Sequence, residues 1–147
     1  HCISSAASDV YKRQMIGVVL CISKKYRRGG MQMLSAELLS FIVGNLIIKN
    51  MVDRLRPCQI DETVSLIVNI PFDSSFPSGH TLNGITAAVT LMFIDKRMGI
   101  PAIVLAVLIA FSRMYNFMHF PTDVLAGAVL GVVSAVFVNF LFKRAGN

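Results

Sequence analysis

The sequence predicts an all-α membrane protein: a polytopic transmembrane helix bundle with four full spans and a truncated helix ahead of them. Three observations carry this reading. Hydrophobic residues make up 54% of the 147-residue chain and charged residues only 15%, where an ordinary soluble domain carries about 25% charged residues. The apolar residues gather into stretches near the roughly 20 residues that a helix needs to cross a bilayer. The charges gather between those stretches, in polar turns.

The elements follow in order. Residues 1–14, HCISSAASDVYKRQ, have neither the basic n-region nor the apolar h-region of a signal peptide. Asp9 to Gln14 is one translation of a transposon end used in sequencing-library preparation. Residues 1–14 are therefore expected to be a cloning or assembly scar and residues 15–147 the membrane domain, with the natural chain continuing upstream through at least one more helix. Met15 to Ser23 is apolar but too short to span, and reads as the end of a truncated helix. Met31 to Asn50 is nearly continuous in apolar residues and makes the first full span. Residues 51–76 form a polar loop with Arg54, Arg56, Asp61, Glu62 and Asp73, interrupted by the apolar stretch Val64 to Ile70. Ser78 to Ile94 is the second span, closed by the turn Asp95-Lys96-Arg97. Gly99 to Phe111 is the third, with Pro101 near its first turn, where proline is tolerated. Ser112 to Thr122 is a polar turn, and Asp123 to Phe142 is the fourth span.

The basic residues orient this bundle. Lys and Arg in short loops mark the cytoplasmic side. With four alternating crossings, Lys24, Lys25, Arg27, Arg28, Lys96, Arg97, Lys143 and Arg144 fall on that side together. Lys49, Arg54, Arg56 and Arg113 fall on the opposite side, where topology predicts few cations, so another function must keep them there. The net charge of +6 comes with no nucleic-acid motif; the expected partners are the bilayer and a lipid phosphate. The three cysteines, Cys2, Cys21 and Cys58, form no CxxC pair and have no metal-ligand spacing with a histidine.

Three segments share the anomalous side: Lys49 to Arg56-Pro57, Phe76-Pro77-Ser78-Gly79-His80, and Ser112-Arg113 with His119 and Asp123 downstream. Each lies at the end of a predicted span, so three helix ends converge. Lys49, Arg56 and Arg113 supply fixed positive charge, and the planar fork of arginine suits phosphate oxygens. Ser78 and Gly79 open a helix whose backbone N–H groups point toward an anion. One of His80 and His119 is available as nucleophile and the other as general acid. Asp123 follows His119 by one helical turn, or caps a helix and reaches back to the imidazole. Both arrangements let it fix the tautomer and stabilise an imidazolium.

KxxxxxxRP, PSGH and SRxxxxxHxxxD, which occur here in this order at Lys49–Pro57, Pro77–His80 and Ser112–Asp123, resemble the three signature motifs of the type-2 phosphatidic acid phosphatase superfamily. The flanks SFPSGHT and HFPTDVLAG look like its bacterial membrane branch, and the resemblance covers the chain from Met31 to Phe142. It implies that His119 attacks phosphorus and forms a phosphohistidine, that Asp123 orients His119, and that His80 protonates the leaving oxygen. It further implies that Lys49, Arg56, Arg113, Ser78 and Gly79 hold the phosphoryl oxygens. It implies no metal or other cofactor, and a site at the outer face of the plasma membrane. Undecaprenyl diphosphate is the leading substrate, with phosphatidylglycerol phosphate or phosphatidic acid as alternatives. A vanadate-dependent haloperoxidase shares the motifs but is soluble, against the apolar spans. A membrane protein that binds phospholipid head groups without turnover is a third reading, opposed by the intact His80, His119 and Asp123. A zinc site on those three residues is opposed by the surrounding cations, which favour an anion.

Other polar residues take ordinary readings. Glu37 and Asn83 are expected to bond between helices, and Asp53 and Arg54 to pair at the surface, with contact to substrate as their alternative. Tyr115, Phe117, Met118 and Phe120 are expected to form an interfacial belt.

Overall fold

The computed structural model describes residues 15–60 and 73–145. The expectations for residues 1–14, for Asp61 and Glu62, and for the Val64 to Ile70 stretch lie outside the described residues.

Residues 15–22 form α1, and a turn at 23–26 leads into α2 (Arg27–Ser40). The same rod continues as a π-helix, π1 (Phe41–Ile48), and then as α3 (Lys49–Val52). It stops at Asp53, which takes a left-handed conformation with φ 38°. A single turn, α4 (Pro57–Ile60), starts on proline, whose fixed φ suits a first helical position. Three longer helices complete the bundle: α5 (Gly79–Ile94), α6 (Lys96–Tyr115) and α7 (Pro121–Arg144).

Arg27–Ile60, Lys96–Tyr115 and Pro121–Arg144 are long and apolar enough to cross a membrane. The expected span from Ser78 to Ile94 is shorter: at 16 residues, α5 rises about 24 Å against a hydrocarbon core of roughly 30 Å. It is the enclosed helix of the bundle, packed against α2, α6 and α7, with Leu82, Thr86, Ala88 and Thr90 fully buried. The outer helices do the reverse. Leu105, Leu108 and Phe111 of α6 and Val129, Val133 and Phe137 of α7 are exposed, an exterior suited to hydrocarbon rather than water.

Both boundaries of α6 differ from the sequence reading. The carboxylate of Asp95 accepts the N–H of Arg97 at 2.9 Å and caps α6, so the helix begins at Lys96. Pro101 therefore sits inside the helix, beyond the first turn. At its far end α6 runs on to Tyr115, past the expected stop at Phe111.

A close backbone approach joins α5 to α7. A Cβ on Gly127 would lie 2.8 Å from the carbonyl oxygen of Ser78, and one on Gly131 would lie 2.7 Å from that of Leu82. Only glycine permits backbones to pack at this distance, and in a membrane such van der Waals contact replaces the missing hydrophobic driving force. The approach lets the N–H of Ser78 donate to the carbonyl of Asp123 at 3.1 Å, which pins the start of α5 to the start of α7. Polar side chains reinforce the packing. Gln32 of α2 donates to Asn139 of α7 at 3.1 Å, and Ser40 of α2 meets Asn83 of α5 at 3.4 Å, so Asn83 bonds across helices as expected. Glu37 is half-buried on α2.

Candidate active site

His119 occupies the short loop between α6 and α7, just ahead of the first residues of α7. The loop is fixed from several sides. Phe117 adopts a left-handed φ of 53°. Its carbonyl accepts the N–H of Cys58, and the N–H of Met118 donates to the carbonyl of Arg113, both at 3.1 Å. Met118 is 3% exposed and His119 4%. Met118 thus belongs to the floor of the site, not to the expected interfacial belt, while Tyr115 and Phe117 are exposed.

The imidazole is held at both nitrogens. Nδ1 lies 2.8 Å from the main-chain carbonyl of Ser75, to which it donates, and 3.9 Å from the nearer oxygen of Asp123. That leaves the lone pair on Nε2, which faces Nη1 of Arg56 at 3.4 Å. Burial pushes the His119 pKa down to about 4, and the guanidinium of Arg56 pushes the same way; the Ser75 carbonyl and the Asp123 carboxylate oppose them without reversing the shift. At neutral pH the ring is an uncharged imidazole with its free nitrogen turned toward a cation.

Asp123 is fully buried and sits in the first turn of α7, where Pro121 opens the helix. Its Oδ2 accepts the N–H of Phe120 at 2.9 Å, the carboxylate half of a capping box. The same oxygen accepts the hydroxyl of Ser75 at 2.5 Å. Its Oδ1 accepts Nη1 of Arg54 at 2.8 Å. Arg54 also donates to the Thr122 hydroxyl at 2.9 Å and stacks 4.2 Å above the Phe120 ring. The expected surface pair with Asp53 is corrected on this point: Arg54 is bound to the supporting carboxylate of the site.

The cations of the first motif converge on one counter-ion. Arg56 is 3% exposed. It donates through Nη1 to the Met118 carbonyl at 3.0 Å and through Nη2 to Asp73 at 2.7 Å. Lys49 reaches the other oxygen of the same carboxylate. Burial pushes the Asp73 carboxyl up, but Lys49 and Arg56 outweigh it and hold its pKa below the ordinary carboxylate value. A cavity of about 600 Å³ opens beside this pair, lined by Phe41, Asn45, Leu46, Lys49, Asn50 and Asp73 among others. Arg113, near the end of α6, is half-buried, and its Nε has no hydrogen-bond partner among the described residues.

The Pro77-Ser78-Gly79-His80 segment follows a cis Phe76-Pro77 peptide and opens α5. Ser78 is its N-cap, fully buried, with its hydroxyl bonded to that of Thr81 at 3.0 Å. The N–H of Ser78 is taken by Asp123, so the expected use of that amide on an anion is corrected. Gly79 stands at the first helical position, where an amide has no partner within the helix. A Cβ there would meet the side-chain oxygen of Asn45 at 3.0 Å. His80 lies one residue further into α5 and is half-buried. Among the described residues no group of three His, Cys, Asp or Glu side chains is placed to hold a metal ion.

The structure brings His119, Asp123, Arg56 and Lys49 into one neighbourhood with Ser75, Arg54 and Asp73, and of these the sequence reading assigned no site role to Ser75 or Asp73 and favoured a surface pair for Arg54. Nothing in the sequence separates Ser75 from the neighbouring Ser74. For Arg54 the signal was present, as one of the cations on the side where topology predicts few.

A family model described as the PAP2 superfamily matches residues 29–146. An undecaprenyl-diphosphatase of Sulfolobus acidocaldarius is 36% identical over 117 residues, covering 79% of this chain and 56% of that protein. The undecaprenyl-diphosphatase BcrC of Bacillus subtilis is 31% identical over 85 residues, covering 58% of this chain and 42% of its own. The chain thus spans about half the length of these curated relatives. The crystal structure of a transmembrane PAP2-type phosphatidylglycerolphosphate phosphatase from Bacillus subtilis superposes with a TM-score of 0.73 at 27% identity, covering 94% of this chain and 70% of that one.

Proposed function

Because the chain belongs to the PAP2 superfamily, we propose that it is a membrane phosphatase that hydrolyses a lipid phosphate or diphosphate through a phosphohistidine on His119. One observation carries this reading above the others. His119 is buried and neutral, its Nδ1 proton rests on a main-chain carbonyl, and its Nε2 lone pair faces Arg56. That is the state a nitrogen nucleophile needs, beside the charge that would draw a phosphate to it.

In the first step Nε2 of His119 attacks phosphorus in line with the leaving oxygen. The bond from that phosphorus to the leaving oxygen breaks, releasing the lipid phosphate of a diphosphate or the lipid alcohol of a monophosphate, and His80 delivers a proton to that oxygen. Lys49, Arg56 and Arg113, with the Gly79 amide at the start of α5, hold the phosphoryl oxygens and the charge that builds on them. In the second step water attacks the phosphohistidine, His80 takes the proton, and Nε2 leaves as the neutral imidazole. Asp123 supports the nucleophile from the first turn of α7.

The leading substrate is undecaprenyl diphosphate, as the names of the relatives from Sulfolobus acidocaldarius and Bacillus subtilis suggest. Phosphatidylglycerol phosphate is the second reading, favoured by the name of the solved relative. The cavity beside Lys49 suits either, since Asn45 and Asn50 face it together with Phe41 and Leu46. In the orientation set by the basic loops the site faces the outer leaflet.

The test is phosphate release from a panel of both lipids and phosphatidic acid in detergent micelles, with trapping of an acid-labile phosphoenzyme. The wild-type chain is expected to release phosphate and to accumulate label on His119. His119→Ala is expected to do neither while retaining lipid binding. Undiminished turnover by His119→Ala sinks the mechanism.

A further inference from the structure

Asp123 is the residue expected to hold the nucleophile, yet it does not touch it. The separation of 3.9 Å between Nδ1 and the nearer carboxylate oxygen is beyond hydrogen-bond range. Ser75 lies between them. Its carbonyl accepts Nδ1–H at 2.8 Å, and its hydroxyl donates to Asp123 at 2.5 Å while passing 3.4 Å from the ring nitrogen. Its N–H donates to the carbonyl of Arg54 at 2.8 Å, so every polar atom of this fully buried residue is engaged. The imidazole is not among the donors to the carboxylate, because its single N–H already rests on the Ser75 carbonyl. Oδ1 is taken by Arg54 and Oδ2 by Ser75 and the Phe120 N–H.

The proton inventory is consistent with one arrangement. The imidazole has a single N–H, and the Ser75 carbonyl, which carries no hydrogen, takes it. The Ser75 hydroxyl has a single proton, and the carboxylate takes it. We infer that Ser75 is the positioning residue for the nucleophile: its carbonyl sets the His119 tautomer, its hydroxyl anchors it to Asp123, and Asp123 acts on His119 through Ser75. The assignment rests on the phosphatase reading and adds to it the means by which the nucleophile is held.

The experiment is a double-mutant cycle on the full chain, using whichever of undecaprenyl diphosphate or phosphatidylglycerol phosphate the wild type hydrolyses faster. Ser75→Ala removes the anchor and keeps the carbonyl, which is then free to drift. Its kcat is expected to fall about 10- to 100-fold, the worth of one hydrogen bond to a charged group. KM and inhibition by inorganic phosphate are expected to stay within about twofold of wild type, a split that a general loss of structure would not produce. Asp123→Asn lowers kcat as well. If Asp123 acts through Ser75, the double variant is no more than about twofold worse than the weaker single. Losses that multiply, a Ser75→Ala chain at wild-type kcat, or a loss confined to KM each overturn the assignment. Should Ser75→Ala not fold, Ser75→Cys keeps the volume with a weak donor. Its kcat is expected below wild type with KM unchanged, and wild-type kcat overturns the assignment. A wild-type chain that hydrolyses none of the panel removes the phosphatase reading itself, and this inference with it. With an active wild type, the cycle bears on the role of Ser75 alone.

Discussion

Arg54 donates to the buried carboxylate of Asp123 at 2.8 Å, across a sequence separation that joins the end of the first long rod to the first turn of α7. Asp123 is fully enclosed, while the Arg54 side chain is 38% exposed. Arg54→Ala would leave a buried carboxylate with one uncompensated oxygen. Water can reach the vacated guanidinium position, so the loss is discounted to about 1–3 kcal/mol. A lower unfolding temperature in detergent and reduced phosphate release are expected together. Arg54→Lys should rescue only in part: its ammonium can take over the bonds that Nη1 makes to Asp123 and Thr122, but it has no planar group to lay over the Phe120 ring. Full retention of both properties would show that the contact supports nothing.

The pH dependence follows from the neutral state of His119. Its folded pKa of about 4 lies below the ordinary histidine value of 6.5. The imidazole is therefore unprotonated from neutrality down to about pH 4, and, with His119 as the proposed nucleophile, the acid limb of kcat/KM is expected there. Stability behaves in parallel. The unfolded chain binds this proton more readily, so the contribution is fully present above pH 6.5 and is lost as pH falls from there toward 4. An acid limb for this group near 6.5, by kcat/KM profile or by histidine NMR titration, would contradict the burial argument.

The glycines that join α5 to α7 give a third expectation. A Cβ at Gly127 would stand 2.8 Å from the Ser78 carbonyl, against backbone that cannot step aside alone. Gly127→Ala should push the helix starts apart at a cost of roughly 1–3 kcal/mol. It should also stretch the bond between the Ser78 N–H and the Asp123 carbonyl. The measurement is thermal unfolding alongside phosphate release, with activity falling more steeply than stability because the displaced end carries the site.

Chelation is the fourth. Lys49 and Arg56 bring positive charge beside His119 and hold a carboxylate between them. Phosphate release is expected to be unchanged after prolonged treatment with EDTA. Strong inhibition, reversed by added zinc, would return the histidines to a role as metal ligands.

Much of this protein was legible in its residues. The long apolar runs between polar turns dictated membrane helices, because backbone groups in hydrocarbon must bond within their own segment. Lys49, Arg56, Arg113, His80, His119 and Asp123 stood out because their types, spacing and side of the bilayer agreed on the binding of an anion. The boundary of α6 was less legible, since a single cap, Asp95 on the N–H of Arg97, moved its start and carried Pro101 into the interior.

What only the tertiary structure decided is who touches whom. From spacing alone Asp123 looked like the direct partner of His119; folding set it 3.9 Å away and interposed Ser75. Arg54 looked like half of a surface pair, and it became the counter-ion of the buried carboxylate. Asp73, with no motif to mark it, became the shared partner of Lys49 and Arg56. Helical and motif periodicity are properties of one segment at a time. These contacts depend on how closely two backbones approach, and here Gly127 and Gly131 set that distance by having no side chain to hold them apart.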